Sequence, residues 1–227
     1  MKVLVLNGSP KRKSDTMILT RSFLKGLNQD GSHEIDIIDV IQKTIKPCIG
    51  CFGCWKLNKG LCVQEDDDLN EILGKYAKAD LIIWSFPLYC YAMPSHLKAV
   101  LDRTIPLLQM KMEEVDGKVQ HVPLVDFSKK RTIVLSGCGF PDWDGNFEGF
   151  RIMCNNCFGN PTQIFVPETP LLNSPSAESV TSKLIVDFEK AGLEYAKSNQ
   201  LSKETIQILE TPMIPKEVYL DIVNGNH

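Results

Sequence analysis

A doubly wound α/β fold, with helices on both faces of a five-stranded parallel sheet, is predicted by three observations. Short β-branched or leucine-rich runs alternate with longer amphipathic stretches along the chain. The first run, "KVLVL" (2–6), is apolar almost throughout, as a central parallel strand covered on both faces should be. No internal repeat or low-complexity tract interrupts the alternation, which leaves βαβ units with right-handed crossovers.

The elements follow in order. After the first strand comes the polar loop "NGSPKRKSDT", then "MILTRSFLKGL" with apolar residues at helical spacing. "EIDIID" (34–39) alternates like an edge strand. "EDDDLNEILGKYAKA" reads as a helix whose acidic first turn, Glu65 to Asp68, is a solvated cap at the positive end of the dipole. "DLIIWSFP" (80–87) is the third strand, and "PSHLKAVLDRTIPLL" opens a helix with proline in its first turn. "KRTIVLSGC" (130–138) is the fourth strand, "GNFEGFRIMCNNCF" a helix and "PTQIFVP" (161–167) the fifth strand. "SAESVTSKLIVDFEKAGLEYAKS" is the last long helix, capped by serine. Five strands with five helices fit the flavodoxin-like order 2-1-3-4-5. Residues 1–200 then form one domain, with 111–128 as an insertion outside the sheet. The segment 201–227, broken by two prolines, makes one or two short helices on the domain or on a partner subunit.

Composition limits the function. With 227 residues, 43% of them apolar, the chain can bury the core of one α/β domain. The net charge is −3 and the basic residues are scattered, which argues against nucleic acid as a partner. No apolar run approaches the ~18 residues of a membrane span, and "MKVLVLNGSP" is broken too early for a secretory signal. The expectation is a cytoplasmic protein whose eight cysteines are thiols, ligands or transient redox pairs rather than structural disulfides.

In open α/β sheets, ligands bind outside the carboxyl ends of the strands. The loop after the first strand lies there and offers the hydroxyls of Ser9, Ser14 and Thr16, the cations Lys11, Arg12 and Lys13, and free backbone N–H groups at a helix start. Those parts suit a phosphate monoester or a plain solvated connection. Neither GxxxxGK[ST] nor GxGxxG is present. "SFPLYCYAMPSHLK" and "SGCGFPDWDG" reach the same edge and mix Pro or Gly with aromatics. A flat apolar ring with polar edges would fit between Leu88, Tyr89 and Met93 on one side and Cys138, Gly139 and Phe140 on the other.

The segments "LNGSPKRKSDT", "SFPLYCYAMPSHLKAVLDR" and "LSGCGFP" resemble the three flavin loops of the flavodoxin-like NAD(P)H-dependent FMN reductases, and "GLCVQEDDDLNEI" is also typical of them. The resemblance covers residues 1–170, with weaker similarity beyond. It implies that Ser9, Lys11, Ser14 and Thr16 hold the FMN phosphate, and that Pro87, Leu88, Tyr89, Tyr91 and Met93 line the isoalloxazine. Ser136, Gly137, Cys138 and Gly139 would close the other side. Asp15 replaces the family's asparagine and brings a carboxylate near a phosphate, so it is expected to turn away or to cap the helix.

Cys48, Cys51, Cys54 and Cys62 have the spacing C-x2-C-x2-C-x7-C. Thiolates so spaced can wrap a cubane cluster. Zinc and plain thiols are the other readings. The iron–sulfur flavoproteins, a branch of the same family, carry similar motifs and place a 4Fe-4S cluster beside FMN. Cys154 and Cys157, at i and i+3, are expected on one buried helix face. Cys90 and Cys138 are expected to pack in the flavin walls. Four dispersed histidines, His33, His96, His121 and His227, suggest no catalytic group.

The resemblance implies an FMN-dependent oxidoreductase that takes hydride from NAD(P)H and reduces a quinone, flavin, nitro or azo compound, or a similar acceptor. The alternative is an iron–sulfur flavoprotein electron carrier served by ferredoxin. The family resemblance also implies a homodimer or a dimer of dimers, with 111–128 and the tail as candidate contacts. No arginine-rich pocket for a 2′-phosphate is identifiable from the sequence.

Overall fold

The computed structural model describes residues 1–225; Asn226 and His227, at the end of the tail, lie outside the described residues. Five parallel strands form one sheet: β1 (Lys2–Asn7), β2 (Glu34–Asp39), β3 (Leu81–Pro87), β6 (Arg131–Gly137) and β7 (Thr162–Val166). Their order is β2-β1-β3-β6-β7, which is 2-1-3-4-5 among the sheet strands. An antiparallel hairpin, β4 (Leu108–Val115) and β5 (Lys118–Pro123), lies outside that sheet and overlaps the segment 111–128 without sharing its bounds.

Both sheet faces are covered, which explains why the strands read as continuous apolar runs. On one face α1 (Asp15–Leu27) and α6 (Glu178–Ser198) bury Val3, Val5, Ile83, Leu135 and Ile164. On the other, α3 (Leu69–Lys78), α4 (Ser95–Asp102) and α5 (Glu148–Phe158) bury Leu4, Leu6, Trp84, Phe86 and Phe165. Among the described residues, no helix is long and apolar enough to cross a membrane.

The helices α1 and α6 touch through glycine. A Cβ on Gly26 would lie 1.9 Å from the Glu189 carbonyl oxygen, and one on Gly192 would lie 2.0 Å from that of Phe23. Each glycine admits the other helix's backbone, so a methyl group at either position must push the helices apart. Gly192→Ala is expected to cost about 3 kcal/mol, the upper range for overpacking a well-filled core. Urea unfolding should show a lower midpoint with an unchanged slope.

Several boundaries differ from the sequence expectation. The helix opened by "PSHLKAVLDRTIPLL" ends at Asp102, and a 3₁₀ turn at Ile105–Leu107 follows, because Pro106 cannot donate to the helical ladder. The long helix α6 starts at Glu178 behind a separate turn at Pro175–Ala177, so Ala177 rather than serine precedes it. The cysteine segment holds a short helix, α2 (Gly53–Leu57). In the tail, α7 (Lys203–Leu209) and α8 (Lys216–Asn224) bury Leu209 and Tyr219 against the chain's own domain.

Candidate functional site

The carboxyl ends of β1, β3, β6 and β7 bring their loops together. Asn7 sets the first: its Oδ1 accepts the Ser9 N–H at 3.0 Å while its Nδ2 donates to Asp39 at 2.7 Å. Ser9 Oγ then accepts the Lys11 N–H at 3.3 Å. At Gly8 the backbone lies against α4; an added Cβ would meet Leu97 at 2.7 Å. Ser14 caps α1, its Oγ accepting the Met17 N–H at 3.1 Å. The N–H groups of Asp15 and Thr16, in the first turn, meet no acceptor among the described residues. Ser14, not Asp15, is therefore the cap. Asp15 is buried, with its carboxylate paired to Lys11 at 2.9 Å and hydrogen-bonded by Asn173. Its charge is thus neutralised within the loop.

The loop after β3 is a tight reversal in which Tyr89 and Ala92 exchange backbone hydrogen bonds of 2.9 and 3.0 Å. Cys90 (φ 48°) and Tyr91 (φ 61°) occupy the two left-handed positions that Asn-Gly would fill in an unstrained turn. That conformation throws Cys90 and the Tyr91 ring outward, and Tyr91 stacks on Phe140 with centroids 6.4 Å apart.

One crevice of about 110 Å³ joins these loops. Ser9, Lys11, Asp15 and Thr16 line one part, and Pro87, Leu88, Tyr89, Gly137, Cys138 and Gly139 line the rest. Four expected residues lie elsewhere. Ser14 faces a neighbouring cavity, Tyr91 is 59% exposed at the mouth, and Met93 is in the core. Ser136 is fully buried, and its Oγ meets no hydrogen-bond partner among the described residues. Two lining residues, Thr169 and Pro170, were not expected. They follow β7, whose loop carries no flavin-like motif; the only signal was its place as the last strand at the same edge. Thr169 donates to the Cys138 carbonyl through both N–H (3.0 Å) and Oγ1 (3.1 Å), tying that loop to the β6 wall.

Electrostatically the crevice has a polar end, where Lys11 is paired to Asp15, and an uncharged apolar end. Burial pushes the Cys138 thiol up to about 11, so the wall presents a neutral SH and no thiolate nucleophile. The tail supports this wall: Tyr219, its hydroxyl pushed up to about 12 by burial, donates to the Gly139 carbonyl at 2.8 Å. The chemistry of the lining suits a phosphate at one end and the face of a flat apolar ring at the other. Helix-start donors, Lys11 and two hydroxyls stand at one end, with proline, leucine and glycine surfaces at the other.

The cysteine segment sits apart. Cys48 and Cys51 are exposed, whereas Cys54 and Cys62 are buried. No three His, Cys, Asp or Glu residues among those described are grouped so as to hold a metal ion. The donor chemistry of four thiols suits an iron–sulfur cluster, but the structure does not gather Cys48, Cys51, Cys54 and Cys62 into one ligand set. Burial raises the Cys54 thiol. Beneath the segment, Arg103 and Asp67 form a buried ion pair, and the Arg103 guanidinium donates to the carbonyls of Lys46 (3.0 Å) and Gln64 (3.2 Å). Asp67 is therefore not part of a solvated cap. Cys154 is buried but Cys157, one turn on, is exposed, so the pair does not share a core face.

A family model described as NADPH-dependent FMN reductase matches residues 1–127. An iron-sulfur flavoprotein of Methanocaldococcus jannaschii is 36% identical over 107 residues, which is 47% of this chain and 53% of that protein. The iron-sulfur flavoprotein of Methanosarcina thermophila is 32% identical over 119 residues, 52% of this chain and 60% of that protein. The chain thus spans about half the length of the curated relatives it matches. Among solved structures, an FMN-dependent NADH-azoreductase from Bacillus anthracis in complex with FMN superposes with a TM-score of 0.61 at 18% identity, covering 86% of this chain and 99% of that one. An NAD(P)H:quinone oxidoreductase from Methanothermobacter marburgensis gives 0.59 at 18% identity, covering 86% and 96%. At that identity these likenesses establish the fold.

Proposed function

Because the chain belongs to the NADPH-dependent FMN reductase family, we propose that it is an FMN-dependent oxidoreductase taking hydride from NAD(P)H and passing electrons to a quinone, flavin, nitro or azo compound, or a similar acceptor. The observation that carries this is the single crevice joining the phosphate-type loop of β1 to two apolar walls. Bound FMN would supply the hydride and electron chemistry, for which the protein needs no nucleophile or acid–base pair of its own. Ser9, Lys11 and Thr16, with the first N–H groups of α1, bind and orient the phosphate. Pro87 to Tyr89 and Gly137 to Gly139 exclude water from the ring. Tyr89, Tyr91 and Phe140 stand exposed at the mouth, where they select what stacks there.

The test is a titration of cofactor-free protein with FMN, followed by the flavin absorbance. Wild-type protein should saturate at one FMN per chain. Lys11→Met removes a charge-assisted contact and leaves Asp15 without its cation partner, so affinity should fall at least about tenfold. A wild-type chain that takes up no FMN would sink the reading.

A second reading is favoured by the cysteine spacing and by the names of the relatives: an electron carrier, served by ferredoxin, with a 4Fe-4S cluster on Cys48, Cys51, Cys54 and Cys62. Protein purified without oxygen would then contain about four irons and four acid-labile sulfides per chain. Flavin without iron would leave the reductase reading alone.

A further inference from the structure

A second cavity, of about 500 Å³, opens on the β2 side of the phosphate-type loop and shares Ser9 and Lys11 with the crevice as a common wall. Arg12, Lys13 and Arg21 line it, together with the apolar side chains Met17, Ile18 and Ile41. None of these three cations is ion-paired among the described residues, although Lys11 beside them is paired to Asp15. Three unpaired like charges around one concavity repel one another, and a bound anion relieves that repulsion. The one carboxylate in the lining is Asp39, at the end of β2; its Oδ1 accepts from Asn7, and its other oxygen meets no protein donor among the described residues.

In nucleotide-binding α/β sheets an arginine near the end of the second strand receives the 2′-phosphate of NADP, and the free oxygen of Asp39 can accept from the neighbouring ribose 3′-hydroxyl. Ile18 and Ile41, the latter 41% exposed, offer the apolar surface a base needs. We propose that this cavity takes the adenosine end of NADPH, with Arg12, Lys13 and Arg21 receiving its 2′-phosphate. A phosphate monoester carries a charge of about −1.5 to −2 near neutral pH, a match for the cationic lining that NADH lacks. The assignment rests on the reductase reading, since the nicotinamide end of the same molecule must reach the crevice across the shared wall.

The experiment uses FMN-saturated protein and calorimetric titration with adenosine 2′,5′-bisphosphate and with 5′-AMP. Wild-type protein should bind the bisphosphate at least about tenfold more tightly, as expected for charge-assisted contacts to a phosphate. Arg21, exposed on α1 and remote from the crevice lining, provides the variant. Arg21→Gln should erase most of that preference and raise KM for NADPH but not for NADH, with FMN content and melting temperature unchanged. Equal binding of the two nucleotides by wild-type protein would overturn the assignment. So would a variant that keeps the preference, or one that weakens NADH as much as NADPH. Wild-type protein that takes up no FMN would overturn the reductase reading first, and this assignment with it.

Discussion

Arg103→Met is expected to lower stability by about 3–5 kcal/mol, the usual cost of removing one partner of a buried ion pair. Both side chains are shielded from solvent, with relative exposures of 1% and 0%. Beyond Arg103, the Asp67 carboxylate accepts the N–H groups of Lys46 (2.9 Å) and Leu69 (3.2 Å), so the pair joins α3 and α4 to both ends of the cysteine segment. Burial works against the Asp67 charge, but the hydrogen bonds from Arg103 and then from these N–H groups hold its carboxyl below the ordinary range. A carboxyl lowered by folding stabilises the protein above its unfolded value of about 3.9, and that stabilisation is lost as pH falls through the lower folded value. Urea unfolding from pH 7 to 3 should therefore show an acid-dependent loss in the wild type that Asp67→Asn removes. If Arg103→Met left the urea midpoint unchanged, the clamp would have no energetic role.

Glu168→Ala is expected to release the tail from the crevice wall at a cost of about 2 kcal/mol, because it leaves two half-buried N–H groups without their acceptor. Glu168 lies between β7 and Thr169, fully buried and at φ 56°. Its Oε2 accepts from Met213 (2.6 Å) and Ile214 (3.2 Å), while its own N–H donates to the Phe140 carbonyl at 2.9 Å. One residue thus couples the chain after α7 to the β6 loop, and Tyr219 and the Lys216–Asp142 pair extend that contact. Burial raises the Glu168 carboxyl, and the two N–H donors only partly oppose it. The sign is opposite to that of Asp67. Its contribution is fullest below the unfolded value of about 4.3 and declines as pH rises through the raised folded value. Glu168→Gln keeps an acceptor and carries no charge, so it should match or exceed wild-type stability at pH 8 and abolish this pH dependence. Limited proteolysis of the tail would report the same release in the alanine variant. A tail equally resistant in Glu168→Ala would count against the clamp.

Much of the architecture was legible because it rests on local pattern. Continuous apolar strands, amphipathic helices and a polar loop at the first strand's end follow from burial and chain geometry, and they placed Ser9, Lys11, Thr16, Pro87 to Tyr89 and Gly137 to Gly139 at one edge. What failed locally was what neighbours override. The run Glu65 to Asp68 looks like a solvated cap, yet Asp67 finds Arg103, 36 residues away. Met93 has the character of a ring wall, yet its turn directs it into the core. Arg12 and Arg21 look like scattered charge because one lies in a loop and the other on a helix.

The sequence by itself therefore determined the sheet, its strand order and the chemistry available at its carboxyl edge, since periodicity and loop composition are properties of neighbouring residues. Only the tertiary structure decided that Thr169 and Pro170 complete the crevice and the tail braces its wall, that Arg103 pins the cysteine segment, and that three cations share one cavity. Those are encounters between groups distant in the chain. Their free energies depend on burial and on which partner is within hydrogen-bonding reach, and neither is encoded in spacing.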